Sequence, residues 1–103
     1  MSNESAAVDK VVVEGRITPD NSGEMRASLS KALRGKPATL TVDLSGVTYI
    51  DSSGVATLLE AVRIARKQGT RLVLAGVHDQ PRYLLEITHL DNLFDIAGKE
   101  PGK

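Results

Sequence analysis

The chain has 103 residues, with 13 basic and 13 acidic side chains, no cysteine and an aromatic share of 3%. That is one domain's worth of sequence, and the composition excludes disulfide frameworks, thiolate metal sites and cysteine nucleophiles. The net charge of +0 and the scarcity of aromatics (Tyr49, Tyr83 and Phe94) leave no electrostatic footprint for nucleic acid and no stacking platform for bases.

Residues 1–7 are small and polar and read as a flexible N-terminus, with room for a short edge strand near its close. The opening MSNESAAVDK has no basic start followed by an apolar stretch, so no signal peptide is expected. No apolar run approaches the roughly 20 residues that span a bilayer. The expectation is a small cytoplasmic domain over residues 8–97 with no direct membrane insertion, followed by a tail at 98–103.

Val11-Val12-Val13, Gly15 and Ile17 make a strand that stops at the turn cluster Pro19-Asp20-Asn21-Ser22-Gly23. From Glu24 the period becomes helical, with Met25, Leu29, Ala32 and Leu33 as the apolar stripe. Gly35, as a left-handed cap, and Pro37 end this helix. Leu40 to Leu44 alternates with period two, and Ser45-Gly46 breaks it before Val47-Thr48-Tyr49-Ile50. A second helix is predicted from about Val55 to Gln68, with Val55, Leu58, Leu59, Val62 and Ala65 facing the core and Gly69 as cap. Arg71–Ala75 is a further strand. Pro81 suits the first turn of a third helix carrying Leu84, Leu85, Ile87 and Leu90, and Leu93–Ile96 supplies a last short strand. Strands alternating with amphipathic helices indicate an α/β fold in one domain: a central mixed sheet of four to five strands flanked by about three helices.

Motifs for phosphate cradling, Gly-x-x-x-x-Gly-Lys and Gly-x-Gly-x-x-Gly, are absent. His78 and His89 read as solvated residues near helix ends, without the convergent ligands a metal needs, so neither metal nor cofactor is expected. The unusual tetrapeptide is Asp51-Ser52-Ser53-Gly54, set between an apolar strand and a helix. It lacks the first glycine of a Gly-x-Ser-x-Gly elbow, so no hydrolase is expected. Asp and Ser are preferred helix caps, but a cap explains one polar residue, whereas three stand here. A helix start also favours negative charge, so a serine there could carry a phosphoryl group that the fold tolerates.

The run Val42-Asp43-Leu44-Ser45-Gly46-Val47-Thr48-Tyr49-Ile50-Asp51-Ser52-Ser53-Gly54 closely resembles the signature of STAS domains, found in bacterial anti-sigma factor antagonists and in the cytoplasmic tails of sulphate transporters. The similarity extends over roughly residues 8–97, including Leu90-Asp91-Asn92-Leu93-Phe94-Asp95-Ile96. It implies a non-enzymatic, phosphorylation-switched binding module in transcription regulation by partner switching. In the antagonists, the serine after the motif aspartate is phosphorylated by an anti-sigma factor with serine kinase activity, and a serine phosphatase reverses this; that serine matches Ser52. The unphosphorylated form sequesters the anti-sigma factor. The implied partner surface comprises Asp51, Ser52, Ser53 and the exposed side of Gly54, Ala56 and Thr57, with the Asp20-Asn21 loop beside it. Where the family commonly has Gly-x-Leu-Asp, this chain has Gly15-Arg16-Ile17-Thr18, without the acid. The alternative is a small cytoplasmic STAS subunit of a lipid-transport ABC system that binds and regulates its ATPase, a subgroup that Lys67-Gln68-Gly69 and Gly76-Val77-His78-Asp79 partly resemble.

Overall fold

The computed structural model describes residues 9–97; the expected flexible N-terminus, its edge strand and the tail at 98–103 lie outside the described residues. In chain order the elements are β1 (Lys10–Ile17), α1 (Ser22–Arg34), β2 (Thr39–Ile50), α2 (Ser52–Gln68), β3 (Arg71–Ala75), α3 (Asp79–Ile87), a short 3-10 helix (Leu90–Leu93) and β4 (Asp95–Ile96). The strands form one sheet in the order β1-β2-β3-β4. Its three pairings are all parallel, so among the described residues the sheet is parallel and not the mixed sheet expected. The reason lies in the connections: each pair of neighbouring strands is joined through a helix, as parallel pairing requires, and no hairpin turn intervenes.

One face of the sheet makes the core. Leu40, Val42 and Leu44 are fully buried, and Leu72 and Leu74 stand beside the first two in register. Thr39, Thr41 and Asp43 alternate onto the other face and stay half-buried. Met25, Leu29, Ala32 and Leu33 of α1 are all buried, as their spacing predicts. On α2 the buried set is Gly54, Val55, Thr57, Leu58, Ala61, Val62 and Ala65. The stripe is thus rotated slightly from the expected one, with Ala61 in the core and Leu59 only packed against its margin. Leu85 is the buried leucine of α3, Ile87 is exposed, and Leu90 belongs to the 3-10 helix instead.

Two local expectations change. Gly35 has φ −73°, and the left-handed residue after α1 is Lys36 at φ 51°. The helix end is held instead by Gln68, whose amide donates to Leu33 O at 2.7 Å, beside Thr70 Oγ1 donating to Pro37 O at 2.7 Å. Ser45-Gly46 does not break β2 either. Val12 pairs with Asp43 but Glu14 with Gly46, and Gly15 pairs with Val47 but Arg16 with Tyr49. β2 therefore holds an extra residue at each shift and bends there. At the first, Asp43 Oδ1 accepts from Ser45 N at 2.9 Å. That bond, with the Ser45 hydroxyl and Lys10, holds the Asp43 carboxyl below its ordinary value against partial desolvation.

Candidate functional site

The parallel register brings the carboxyl ends of β1 and β2 together, with Ile17 opposite Ile50. In sheets of this kind the carboxyl ends of the strands are where sites collect. The chain then turns at once into α2, and Asp51 N donates to Ile17 O at 3.1 Å to hold the turn against β1.

Asp51 is the N-cap of α2, in extended backbone. Its Oδ1 accepts from Ser53 Oγ at 2.6 Å, Ser53 N at 2.9 Å and Gly54 N at 3.3 Å. The Ser53 hydroxyl is the largest influence holding the Asp51 carboxyl below its ordinary value; partial desolvation opposes it, and the two amides add to it. The capping task is therefore complete without Ser52. Ser52 is exposed, and among the described residues its hydroxyl takes part in no hydrogen bond. It stands at the first position of a 17-residue helix, where aligned backbone dipoles favour negative charge.

Gly54 explains how the turn sits so low on the sheet. A Cβ there would fall 2.5 Å from Ile50 Cγ1 and 2.8 Å from Ile17 Cγ2, so only glycine lets α2 start this close to both strand ends. Gly54 is buried and Thr57 is 3% exposed, which removes both from the exposed surface on which they were expected. Thr57 turns towards α1 and donates its hydroxyl to Ser53 O at 2.9 Å. Ala56, between them, is exposed. Ser52 and Ala56 are thus the exposed members of this turn, with Asp51 and Ser53 half-buried behind them.

The loop after β1 folds on itself beside this turn. Asn21 Oδ1 accepts from Thr18 N at 2.9 Å, Asn21 Nδ2 donates to Arg16 O at 2.7 Å, and Thr18 Oγ1 accepts from Asp20 N at 3.2 Å. Asn21 is consumed in shaping the loop, whereas Asp20 is exposed. Thr18, where the family commonly has an acid, has a local structural task. Arg16 lies over the Tyr49 ring at 4.3 Å to its centroid, a cation–π contact joining the last turns of the two strands.

One contributor went unnoticed in the sequence and another was read only as solvated. Gln80, on α3, brackets the end of β2: its Oε1 accepts from Ile50 N at 2.8 Å and its Nε2 donates to Ile50 O at 2.9 Å. His78 is half-buried and not simply solvated, with Nδ1 2.7 Å from Asp79 Oδ2 and Nε2 2.9 Å from Ser45 O. Nothing in the spacing of Gln80 marks a contact with a residue 30 positions away. The sequence signal for His78 was a histidine beside an aspartate just before a helix start.

Chemically, the arrangement presents a free hydroxyl at a helix start. Among the described residues no histidine hydrogen-bonds to Ser52; the His78 ring is taken by Asp79 and Ser45. Among the described residues no group of three or more His, Asp or Glu could hold a metal, and no helix is long and apolar enough to cross a membrane.

Comparison with known proteins agrees with this geometry. A family model described as "Mlab, STAS domain" matches residues 1–95. The anti-sigma-B factor antagonist of Bacillus subtilis is 29% identical over 102 residues, covering 92% of this chain and 94% of that protein. The intermembrane phospholipid transport system binding protein MlaB of Escherichia coli is 29% identical over 82 residues, covering 80% and 81%. The crystal structure of an anti-sigma factor antagonist from Mycobacterium paratuberculosis superposes with a TM-score of 0.75 at 22% identity, covering 91% and 80% of the two chains.

Proposed function

We propose, from the premise that this chain belongs to the STAS domain family, that it is an anti-sigma factor antagonist switched at Ser52. The observation that carries this reading is the division of labour in the turn: Asp51 and Ser53 complete the cap, and the exposed Ser52 hydroxyl is left over. The end-to-end match with a curated antagonist supports the partner class. In this reading the unphosphorylated chain docks a cytoplasmic anti-sigma factor through Ser52, Ala56 and Asp20. Gly54 and Thr57 set the height and tilt of α2 from beneath. The anti-sigma factor's serine kinase activity modifies Ser52, and a serine phosphatase restores it. The chain itself turns over no substrate.

Phosphorylation works here through charge. A phosphate brings about −1.5 to −2 charge at pH 7. Asp51 repels it and the start of α2 attracts it, so the fold tolerates the group. The partner surface, fitted to a neutral hydroxyl, must desolvate a dianion, which costs several kcal/mol when the charge is left unpaired.

A second reading rests on the MlaB match and on the description of the family model: a subunit that binds the ATPase of a lipid-transport ABC system. Affinity capture from the host with wild type and Ser52→Asp as baits separates the two. The first reading expects a kinase-like anti-sigma factor, retained by wild type and lost with Ser52→Asp. An ABC ATPase retained by both, with no kinase-like protein, establishes the second.

A further inference from the structure

The first turn of α3 grips β2 at two points, and one of them depends on a proton. Ser45 O is a backbone carbonyl and Asp79 Oδ2 a carboxylate oxygen, both acceptors only. His78 faces one with each ring nitrogen, at 2.9 Å and 2.7 Å. Both bonds form together only when both nitrogens carry hydrogen, that is, as the imidazolium. The neutral ring has a single N–H and must give up one of them.

The surroundings make Ser45 a demanding partner. Gly76, at φ 71°, approaches so closely that a Cβ would lie 2.7 Å from Ser45 Cβ and 2.8 Å from its N and Cα. The loop from Gly76 to Asp79 is thus clasped onto the first bulge of β2. Two residues after His78, Gln80 holds both backbone groups of Ile50, the residue just before the turn bearing Ser52. Charged groups also stand on the elements that meet at this loop. On α3 Arg82 pairs with Glu86 at 3.1 Å. On the facing strands Asp43 takes Ser45 N and Lys10, the latter at 3.7 Å, and the Glu14 side chain lies beside Gly46.

We propose that His78 is a protonation-sensitive pin between α3 and the β2 bulge, and that Gln80 transmits its release to the Ile50–Ser52 turn. The inference stands whether or not Ser52 is phosphorylated. Its direction is fixed by linkage. The Asp79 carboxylate, and after it the Ser45 carbonyl, raise the His78 proton affinity above the ordinary imidazole value, with partial desolvation opposing. A group raised in this way adds stability that is complete below about pH 6.5, the unfolded value, and is lost as pH rises through the folded one.

The test is an NMR titration of the whole chain from about pH 5 to 9 in wild type, His78→Gln and Gln80→Ala, with His89→Asn used to assign the ring signals. Expected in wild type is a His78 midpoint above that of an unperturbed imidazole, with both ring N–H signals present on its acid side. The amides of Ser45 and Ile50 then move with the same midpoint. His78→Gln removes that midpoint from both amides, whereas Gln80→Ala keeps it at Ser45 and removes it from Ile50. A His78 midpoint at or below the ordinary imidazole value overturns the pin. An Ile50 amide that ignores the His78 midpoint in wild type, or follows it unchanged in Gln80→Ala, overturns the transmission.

Discussion

Two strand-to-helix junctions lie side by side in this molecule and are built in opposite ways. At the β2–α2 junction the helix is capped from within its own turn: the Asp51 carboxylate binds Ser53 and Gly54, and only its backbone N–H crosses, to Ile17 O. At the β3–α3 junction the N-cap residue His78 makes no capping bond. Its ring and the side chain of Gln80 cross to β2 instead, and the helix opens with Asp79 at φ 51°. The first junction caps its helix with its own side chains and leaves the Ser52 hydroxyl exposed. The second has committed its side chains to holding the neighbour in place. The proposed switch at Ser52 calls for the first arrangement, and the second joins α3 to the strand that leads into it.

The comparison breaks most visibly in the shared core. Leu58 under α2 is fully buried and Leu85 under α3 is 2% exposed. Replacing either with Ala is expected to cost about 2–5 kcal/mol, in a single transition seen by circular dichroism and by tyrosine fluorescence alike. Leu59→Ala, at the core margin, costs clearly less. Separate transitions for the two helices would mean that the junctions do not share one cooperative unit.

Next come the two glycines. Gly54→Ala overpacks against Ile50 and Ile17 and is expected to cost about 1–3 kcal/mol. Gly76→Ala meets Ser45 at similar distances and must also hold φ 71°, so it costs more than Gly54→Ala in a chemical denaturation series. The reverse order would show that α2 sits on the sheet more tightly than α3 is clasped to it.

These glycines also mark what the sequence made legible. Period and punctuation revealed the helices, the core leucines and the turn carrying Ser52, because those depend on neighbours within a few residues. The STAS resemblance added the role proposed for Asp51-Ser52-Ser53-Gly54. The burial of Gly54 and Thr57 was hidden, since it depends on how closely α2 approaches β1, β2 and α1, which no local pattern encodes. The passage of β2 through Ser45-Gly46 was hidden for the same reason: a glycine after a serine reads as a stop, and only pairing with β1 turns it into a bulge. His78 and Gln80 act across 33 and 30 residues of chain, beyond the reach of any motif.

A smaller effect separates the junctions by pH. Asp51 is held below its ordinary value, so the stability it lends is present above the unfolded carboxylate value, about 3.9, and fades as pH falls through the folded one. His78 is raised, so its contribution fades as pH rises. Thermal melts across pH should therefore show Asp51→Ala flattening part of the acid limb, with Asp43 retaining the remainder, while His78→Gln flattens the neutral-to-alkaline side. A variant that altered the opposite limb would contradict the assignment of charges.

In the proposed reading the Ser52 hydroxyl is spare in the fold and decisive at the surface. Calorimetric affinity for the partner recovered from the host, measured for wild type, Ser52→Ala and Ser52→Asp alongside their melting temperatures, tests it most directly. Melting temperatures are expected to agree within the scatter of surface substitutions. Affinity is expected to be equal for wild type and Ser52→Ala, with binding of Ser52→Asp weakened by about ten- to a hundredfold, or roughly 1.4–2.8 kcal/mol. Three equal affinities would contradict that reading.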